Sequence, residues 1–255
     1  GNTTPTITVN NTNDTIFSGV ISDGTVSLVC AGLNKAGCGT LILSGACANT
    51  YSGTTTVSGG ILELSKNAGV NAVAGNITVA AGATVELGND NQIADASTIT
   101  LNGGTFDMNG SDETATTLTL TADSVIDMSG GNSIFTLTGD INLNGFTLSV
   151  HNWNGIYNSG GGNDQLIANG SVNAGGGNIV FYGDAGVTPW DAGYMHGATA
   201  NADEIVPAPE ASTWIGIIGT VLIANDLERS RRKPRNHKNL FDFMGKSPTS
   251  SSANR

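Results

Sequence analysis

Four carboxylates recur in the same local setting. Glu63, Glu86, Asp107 and Asp127 each stand between two apolar residues, in LEL, VEL, FDM and IDM. If these copies stack in register, the acids form a ladder at strand spacing. Like charges placed opposite one another repel, and a hard, oxygen-seeking cation such as calcium would relieve that repulsion. The other reading is a row of solvated acids that keeps a β-rich chain soluble and blunts its edges. Three cysteines, Cys30, Cys38 and Cys47, cluster near the N-terminus with no histidine beside them, too few ligands for a zinc site. Two readings stay open for them: small buried residues, or one disulfide plus a free thiol in an oxidising exterior. No G-x-S-x-G, P-loop or H-E-x-x-H pattern occurs. His151 and His196 have no partner pattern and read as loop or surface histidines. No catalytic residue and no cofactor are expected.

Charge narrows the function classes further. Before Trp214 the only cations are Lys35 and Lys66, against eighteen Asp and Glu. Such a body repels phosphate backbones, so nucleic acid is not an expected partner. It also lacks the cations that a uronate-cleaving lyase uses to neutralise its substrate. From Trp214 onward the balance inverts, to eight basic and three acidic residues.

The elements that must position these residues are short repeats. With 36 Gly, 6 Pro and 12% charged residues, the composition is unlike that of an ordinary globule. The apolar residues alternate, which is the strand signal. One unit runs TTTVSGGILEL from Thr54 to Leu64. It recurs as ITVAAGATVEL (Ile77–Leu87), ITLNGGTFDM (Ile99–Met108), LTLTADSVIDM (Leu118–Met128) and INLNGFTLSV (Ile141–Val150). Steps of roughly 19 to 23 residues suit one coil of a solenoid. A single unit cannot bury its own aliphatic side, but stacked units bury one another's. The expected fold is all-β: a single-stranded, right-handed parallel β-helix (solenoid) over residues 1–150, with terminal coils and a cap over 151–204. Outward positions would carry Thr, Asn and acids.

Within this region, KAGCGTLILSGACANTYSGTTTVSGGILEL (Lys35–Leu64) resembles the autotransporter-associated β-strand repeat. Lys35, Gly37, Gly39, Leu41, Leu43, Ser44, Gly45, Asn49, Tyr51, Gly53, Thr55, Val57, Gly60 and Leu62 fall on that family's pattern. An extra Ala-Cys pair stands between Gly45 and Asn49. The resemblance implies an exported β-helix at the bacterial surface. Further on, SGGGNDQL (Ser159–Leu166) resembles one calcium-binding nonapeptide of Gly/Asp-rich toxin repeats, although a lone copy lacks the neighbour that completes such a site.

The C-terminal region changes character. Val206, Pro207, Pro209, Glu210, Ser212 and Thr213 lead into an apolar run containing Trp214, Ile215, Ile217, Ile218, Val221, Leu222 and Ile223. Arg229, Arg231, Arg232, Lys233 and Arg235 follow. This order resembles the PEP-CTERM sorting signal, here with Pro-Ala-Pro-Glu in place of Pro-Glu-Pro. The resemblance implies a sorting signal over 205–235, read by an exosortase-type protease, with the basic cluster kept cytoplasmic. As a helix the apolar run from Ala211 would reach only about 21 Å, against a hydrocarbon core of about 30 Å. The membrane contact is therefore expected to be transient. Residues 236–255 read as a polar disordered tail. The chain starts at Gly1 without a signal peptide, which suggests a fragment or a processed chain. The function expected is that of an exported, non-catalytic surface or extracellular-matrix protein, structural or adhesive and facing extracellular polysaccharide. A carbohydrate- or calcium-dependent adhesin is the alternative, and a polysaccharide-active enzyme the reading after that.

Overall fold

The computed structural model describes residues 5–23, 31–156, 162–184, 186, 189–191, 194–196 and 204–207. These residues form β-strands and turns, with no helix among them. The chain divides into two compact units, Gly1–Glu210 and Ala211–Arg255. All described residues belong to the first. The short hydrophobic helix and the disordered basic tail expected from the sequence lie outside the described residues.

The first unit is a parallel β-solenoid, and each coil contributes a strand to each of two long sheets. The first sheet runs β1 (Thr6–Asn10), β3 (Gly32–Ala36), β5 (Thr55–Val57), β7 (Ile77–Ala80), β9 (Thr98–Asn102), β12 (Thr117–Ala122), β15 (Ile141–Asn142) and β18 (Val172–Asn173). The second runs β2 (Thr15–Phe17), β4 (Thr40–Gly45), β6 (Gly60–Lys66), β8 (Ala83–Leu87), β10 (Thr105–Asp107), β13 (Ser124–Asp127), β16 (Thr147–His151), β19 (Asn178–Tyr182) and β20 (Pro189–Asp191). Leu33, Thr55, Ile77, Ile99, Leu118 and Ile141 pair in sequence along the first sheet, in steps of 22, 22, 22, 19 and 23 residues.

Period-2 alternation decides which side chains face inward. Val57, Val79 and Leu101 stack in one interior column. Leu62, Val85, Phe106, Ile126 and Val150 stack in another, and all eight are fully buried. Burying an aliphatic side chain of this size contributes roughly 1.5–3 kcal/mol, and here the members of each column are buried by the coils above and below and by the facing columns. One Thr departs from the expected outward placement. Thr55 lies inside, in the column between Leu33 and Ile77, where its hydroxyl bonds that of buried Tyr51.

A third sheet closes the later coils. Its order is β11 (Glu113–Ala115), β14 (Ile134–Leu137), β17 (Gln165–Ala168), β22 (Glu204–Pro207) and β21 (Tyr194–His196). Phe106 and Phe135 stack across the interior with ring centroids 5.3 Å apart. At the C-terminal end the pairing turns antiparallel, β20 on β19 and β22 on β17. That arrangement covers strand edges which would otherwise remain open. At the N-terminal end Ile7, Ile16 and Phe17 of β1 and β2 are exposed around a cavity of about 230 Å³.

The turns need residues that tolerate positive φ. Gly37, at φ +79°, is also sterically required, since a Cβ there would stand 2.3 Å from the Asn11 carbonyl oxygen. Between repeats the same backbone conformation falls to Asn109 (φ 44°) and Asn152 (φ 53°), residues that adopt it more readily than most.

Candidate functional site

The acids singled out from the sequence stand in one row on the second sheet. Glu63 lies opposite Glu86, Glu86 opposite Asp107, and Asp107 opposite Asp127. One extra residue in the turn before β16 shifts the next rung, so His151 rather than Val150 faces Asp127. Burial, then the neighbouring Asp107 and Glu63 charges, hold the Glu86 carboxyl above its ordinary range. Burial and Asp127 do the same for Asp107, opposed by hydrogen bonds from Asn109 and Ser129.

The repulsion is answered from within the protein. Asn109 Nδ2 donates to Glu86 Oε1 at 3.3 Å, Ser129 Oγ to Asp107 Oδ1 at 3.1 Å, and Asn152 Nδ2 to Asp127 Oδ1 at 2.7 Å. Each donor sits just past the next rung and reaches back one coil. Charge-assisted bonds of this kind are stronger than neutral ones. Calcium needs six to eight converging oxygens, whereas this row presents its carboxylates in line. Among the described residues no group of three or more Asp, Glu, His or Cys is arranged to hold a metal ion. His151 ends a strand, in contrast to the loop or free surface expected for it. It is partly buried, packs edge-on against Tyr182 at 5.0 Å, and is held below its ordinary range chiefly by burial.

The candidate nonapeptide resolves differently. Asp164 of SGGGNDQL is fully buried, and its carboxylate accepts the Ser133 and Asn154 amides at 2.9 Å each. It joins two segments of backbone, and Ser159, Gly160 and Gly161 of the same stretch lie outside the described residues. Glu113 does the same one corner earlier. This buried carboxylate accepts the amides of Gln92 at 2.8 Å, Thr114 at 3.0 Å and Ile93 at 3.1 Å, yet burial still pushes it up to about 7. Gln92 in turn accepts the Lys66 amide at 2.8 Å. Buried polar side chains thus take the amides left unpaired where the chain turns between sheets.

The two lysines of the body were not singled out as buried, and both are, completely. Lys35 Nζ donates to the carbonyls of Ala36, Gly37 and Gly59, each at 3.0 Å. Lys66 Nζ donates to those of Gly19 at 3.1 Å and Ser44 at 2.9 Å. Burial pushes both ammonium groups down in pKa. Alternation along Leu62, Leu64 and Lys66 was the available signal, because it places Lys66 inward. Asn49 works alongside them: its Oδ1 accepts the Ile21 amide at 2.9 Å and its Nδ2 donates to Ala72 O at 2.7 Å, so that three coils are tied by one side chain. The expectation of buried cysteines is overturned for two of the three. Cys38 and Cys47 are exposed free thiols, because each falls in a turn beside an inward-facing strand. Cys30 lies outside the described residues.

Of the sorting-signal residues, Val206 and Pro207 are buried in β22. Pro209, Glu210, Ser212, Thr213, the apolar run from Trp214 to Ile223 and the basic cluster Arg229–Arg235 lie outside the described residues. No described helix is long and apolar enough to cross a membrane.

Comparison with known proteins agrees with the repeat. A family model described as passenger-associated transport repeat, an autotransporter-associated β-strand repeat, matches residues 33–64. No curated protein and no solved structure matches the chain. The matched segment contains the features that lock the first coils together: Lys35 with its three carbonyls, Gly37 against Asn11, Asn49 spanning three coils, and Tyr51 bonded to Thr55. The segment is similar to a passenger-associated transport repeat and lies within a parallel β-solenoid.

Proposed function

We propose that this protein is an exported, non-catalytic component of the bacterial cell surface or extracellular matrix, structural or adhesive in role. In this reading the C-terminal PEP-CTERM-type signal sorts it, and an exosortase-type protease removes the signal. The observation that carries the reading is the passenger-type repeat at 33–64, continued by in-register coils as far as Val172. Stacked coils that bury one another's interior columns present a regular surface without needing a cleft. The acidic exterior keeps such solenoids apart from one another and from anionic polymers. The order of Pro/Glu motif, apolar run and arginines supports sorting, and the membrane contact would last only until cleavage.

Mass spectrometry of the protein from its native envelope and matrix tests this. The expected product ends between Pro207 and Trp214 and lacks Arg229–Arg235. A cytoplasmic protein intact through Arg255 would refute the sorting reading. A calcium-dependent or carbohydrate-binding adhesin is the second reading, favoured by the unbroken row Glu63, Glu86, Asp107 and Asp127. A glycan-array screen with and without calcium distinguishes it from a purely structural solenoid.

A further inference from the structure

The first coil differs from the later ones because its inward residues are covered from one side only. β1 and β2 are the end strands of their sheets, and no described strand pairs with their outer edges. Ile7 stands over Leu33, Val9 over Lys35 and Phe17 over Leu43. Those three partners are buried, whereas Ile7 is 46% and Phe17 39% exposed. Ile7, Val9 and Phe17 line the apolar cavity of about 230 Å³ at this end. The surface is the continuation of the contact that joins every coil to the next, with its second half missing. The other end is closed, since β20 and β22 lie antiparallel on β19 and β17.

The backbone at this edge is open as well. Pro5 O accepts the Gly32 amide at 2.9 Å. Backbone groups alternate in direction along a strand, so Ile7 and Val9 also turn theirs toward β3. Thr6, Thr8 and Asn10 turn N–H and C=O to the open edge, and all three are exposed. β1 carries none of the usual guards of an edge strand, having no charge, no Pro and no bulge. Its sequence, Thr-Ile-Thr-Val-Asn, sets the two inward apolar residues symmetrically about Thr8. A second copy turned about a twofold axis at Thr8 therefore brings Thr8 opposite its own counterpart, Thr6 opposite Asn10, and Ile7 opposite Val9. The edge-directed residues become the hydrogen-bonded pairs of an antiparallel ladder, each exchanging two bonds. Ile7 and Val9 fall in the non-hydrogen-bonded pairs, whose side chains stand closest, and each copy closes the other's interior column.

We infer that the N-terminal end of the solenoid is a self-association surface: β1 of one copy pairs antiparallel with β1 of a second about a twofold axis at Thr8. A copy has only this end to offer, because the C-terminal strand edges are already covered, so the contact is isologous and stops at two. The inference goes beyond the surface role proposed above and does not depend on sorting. Sedimentation velocity of the full chain over a wide range of concentration is expected to show monomer passing to dimer and no further. Thr8→Pro removes an edge-directed amide while sparing the bonds to β3, and is expected to leave only monomer with the melting curve unchanged. Should that variant disturb the first coil, cross-linking reads the register instead. With Cys30, Cys38 and Cys47 replaced by Ser, Thr8→Cys meets its own counterpart at a Cα separation of about 5.5 Å, within disulfide reach. Asn10→Cys lies about 13 Å along the strand from its counterpart. Mild oxidation is expected to link the first variant into dimers and leave the second unlinked. A parent that stays monomeric, growth beyond a dimer, or equal linking at both positions overturns the inference. So does association that Ile217→Lys with Leu222→Lys abolishes and Thr8→Pro leaves intact, since the C-terminal apolar run would then be the contact.

Discussion

Replacing Glu113 by Gln should remove a pH dependence that the parent fold carries. The Glu113 carboxylate is buried at the corner between β11 and the preceding coil, and its pKa rises from an ordinary 4.5 to about 7. A raised pKa means that the folded state favours the protonated form. The associated stability is fully present below pH 4.5, declines as the pH climbs to about 7, and is absent above. A shift of that size corresponds to about 3 kcal/mol at 1.36 kcal/mol per pH unit. For a chain of this length that amounts to a fall in Tm of about 6–12 °C. Burial and neighbouring charge also raise Glu86 and Asp107, and burial raises Asp164, so all three add to the decline with the same sign. The informative quantity is therefore the difference between variant and parent. Gln keeps the oxygen that accepts the Gln92 and Ile93 amides and loses the acceptor for Thr114, a cost of about 1 kcal/mol. The Gln variant should melt slightly below the parent at pH 5 and above it at pH 8, the two curves crossing between. Thermal melts followed by circular dichroism at half-unit steps from pH 4.5 to 8.5 measure this. Parallel curves would refute the claim that a desolvated charge at Glu113 limits stability at neutral pH.

Four further outcomes follow from the same contacts. Lys35→Met leaves three part-buried carbonyls without their donor and should cost about 3 kcal/mol in denaturant unfolding; a loss below about 1 kcal/mol would show that the ammonium is dispensable. Gly37→Ala and Gly82→Ala meet similar positive φ, yet only at Gly37 does a Cβ strike backbone, with open space at Gly82. The Gly82 change should cost about 1 kcal/mol and the Gly37 change clearly more, and equal costs would contradict the steric argument. Asp107→Asn relieves like charge facing Glu86 and Asp127 and should stabilise the fold by about 0.5 kcal/mol at pH 7. Millimolar calcium should leave the parent Tm unchanged, whereas a rise that Asp107→Asn plus Asp127→Asn abolishes would make the row a calcium site.

The acidic row also shows how a parallel solenoid tolerates what its own symmetry imposes. Any outward residue retained in every copy is stacked on itself, so an acid repeated in sequence becomes a line of repulsion in space. The relief comes from residues outside the repeated triplet. Asn109 and Asn152 serve twice, turning the chain at positive φ and donating to the acid one coil back. The repulsion and its relief are both local, and neither requires a ligand.

Much of this protein was legible in its sequence because a solenoid converts sequence period directly into spatial stacking. The steps between copies fixed which residues share a column, and alternation separated Leu62 and Leu64 inside from Glu63 outside. Turn positions showed as glycines, and the passenger-type repeat was readable from Lys35 to Leu64. What the sequence could not supply was whatever breaks the period. The third sheet begins at Glu113–Ala115, too short to stand out as alternation. One additional residue before β16 brought His151 to Asp127. Cys38 and Cys47 look like small core residues by type, and only the course of the turns exposes them. Burial of Lys35, Lys66 and Glu113 runs against residue type, although alternation after Leu62 and Leu64 does point Lys66 inward. Such charges enter the interior only where the fold presents backbone carbonyls or amides that have no other partner, and the position of those groups is decided by three-dimensional closure of the coil, not by any local run of residues.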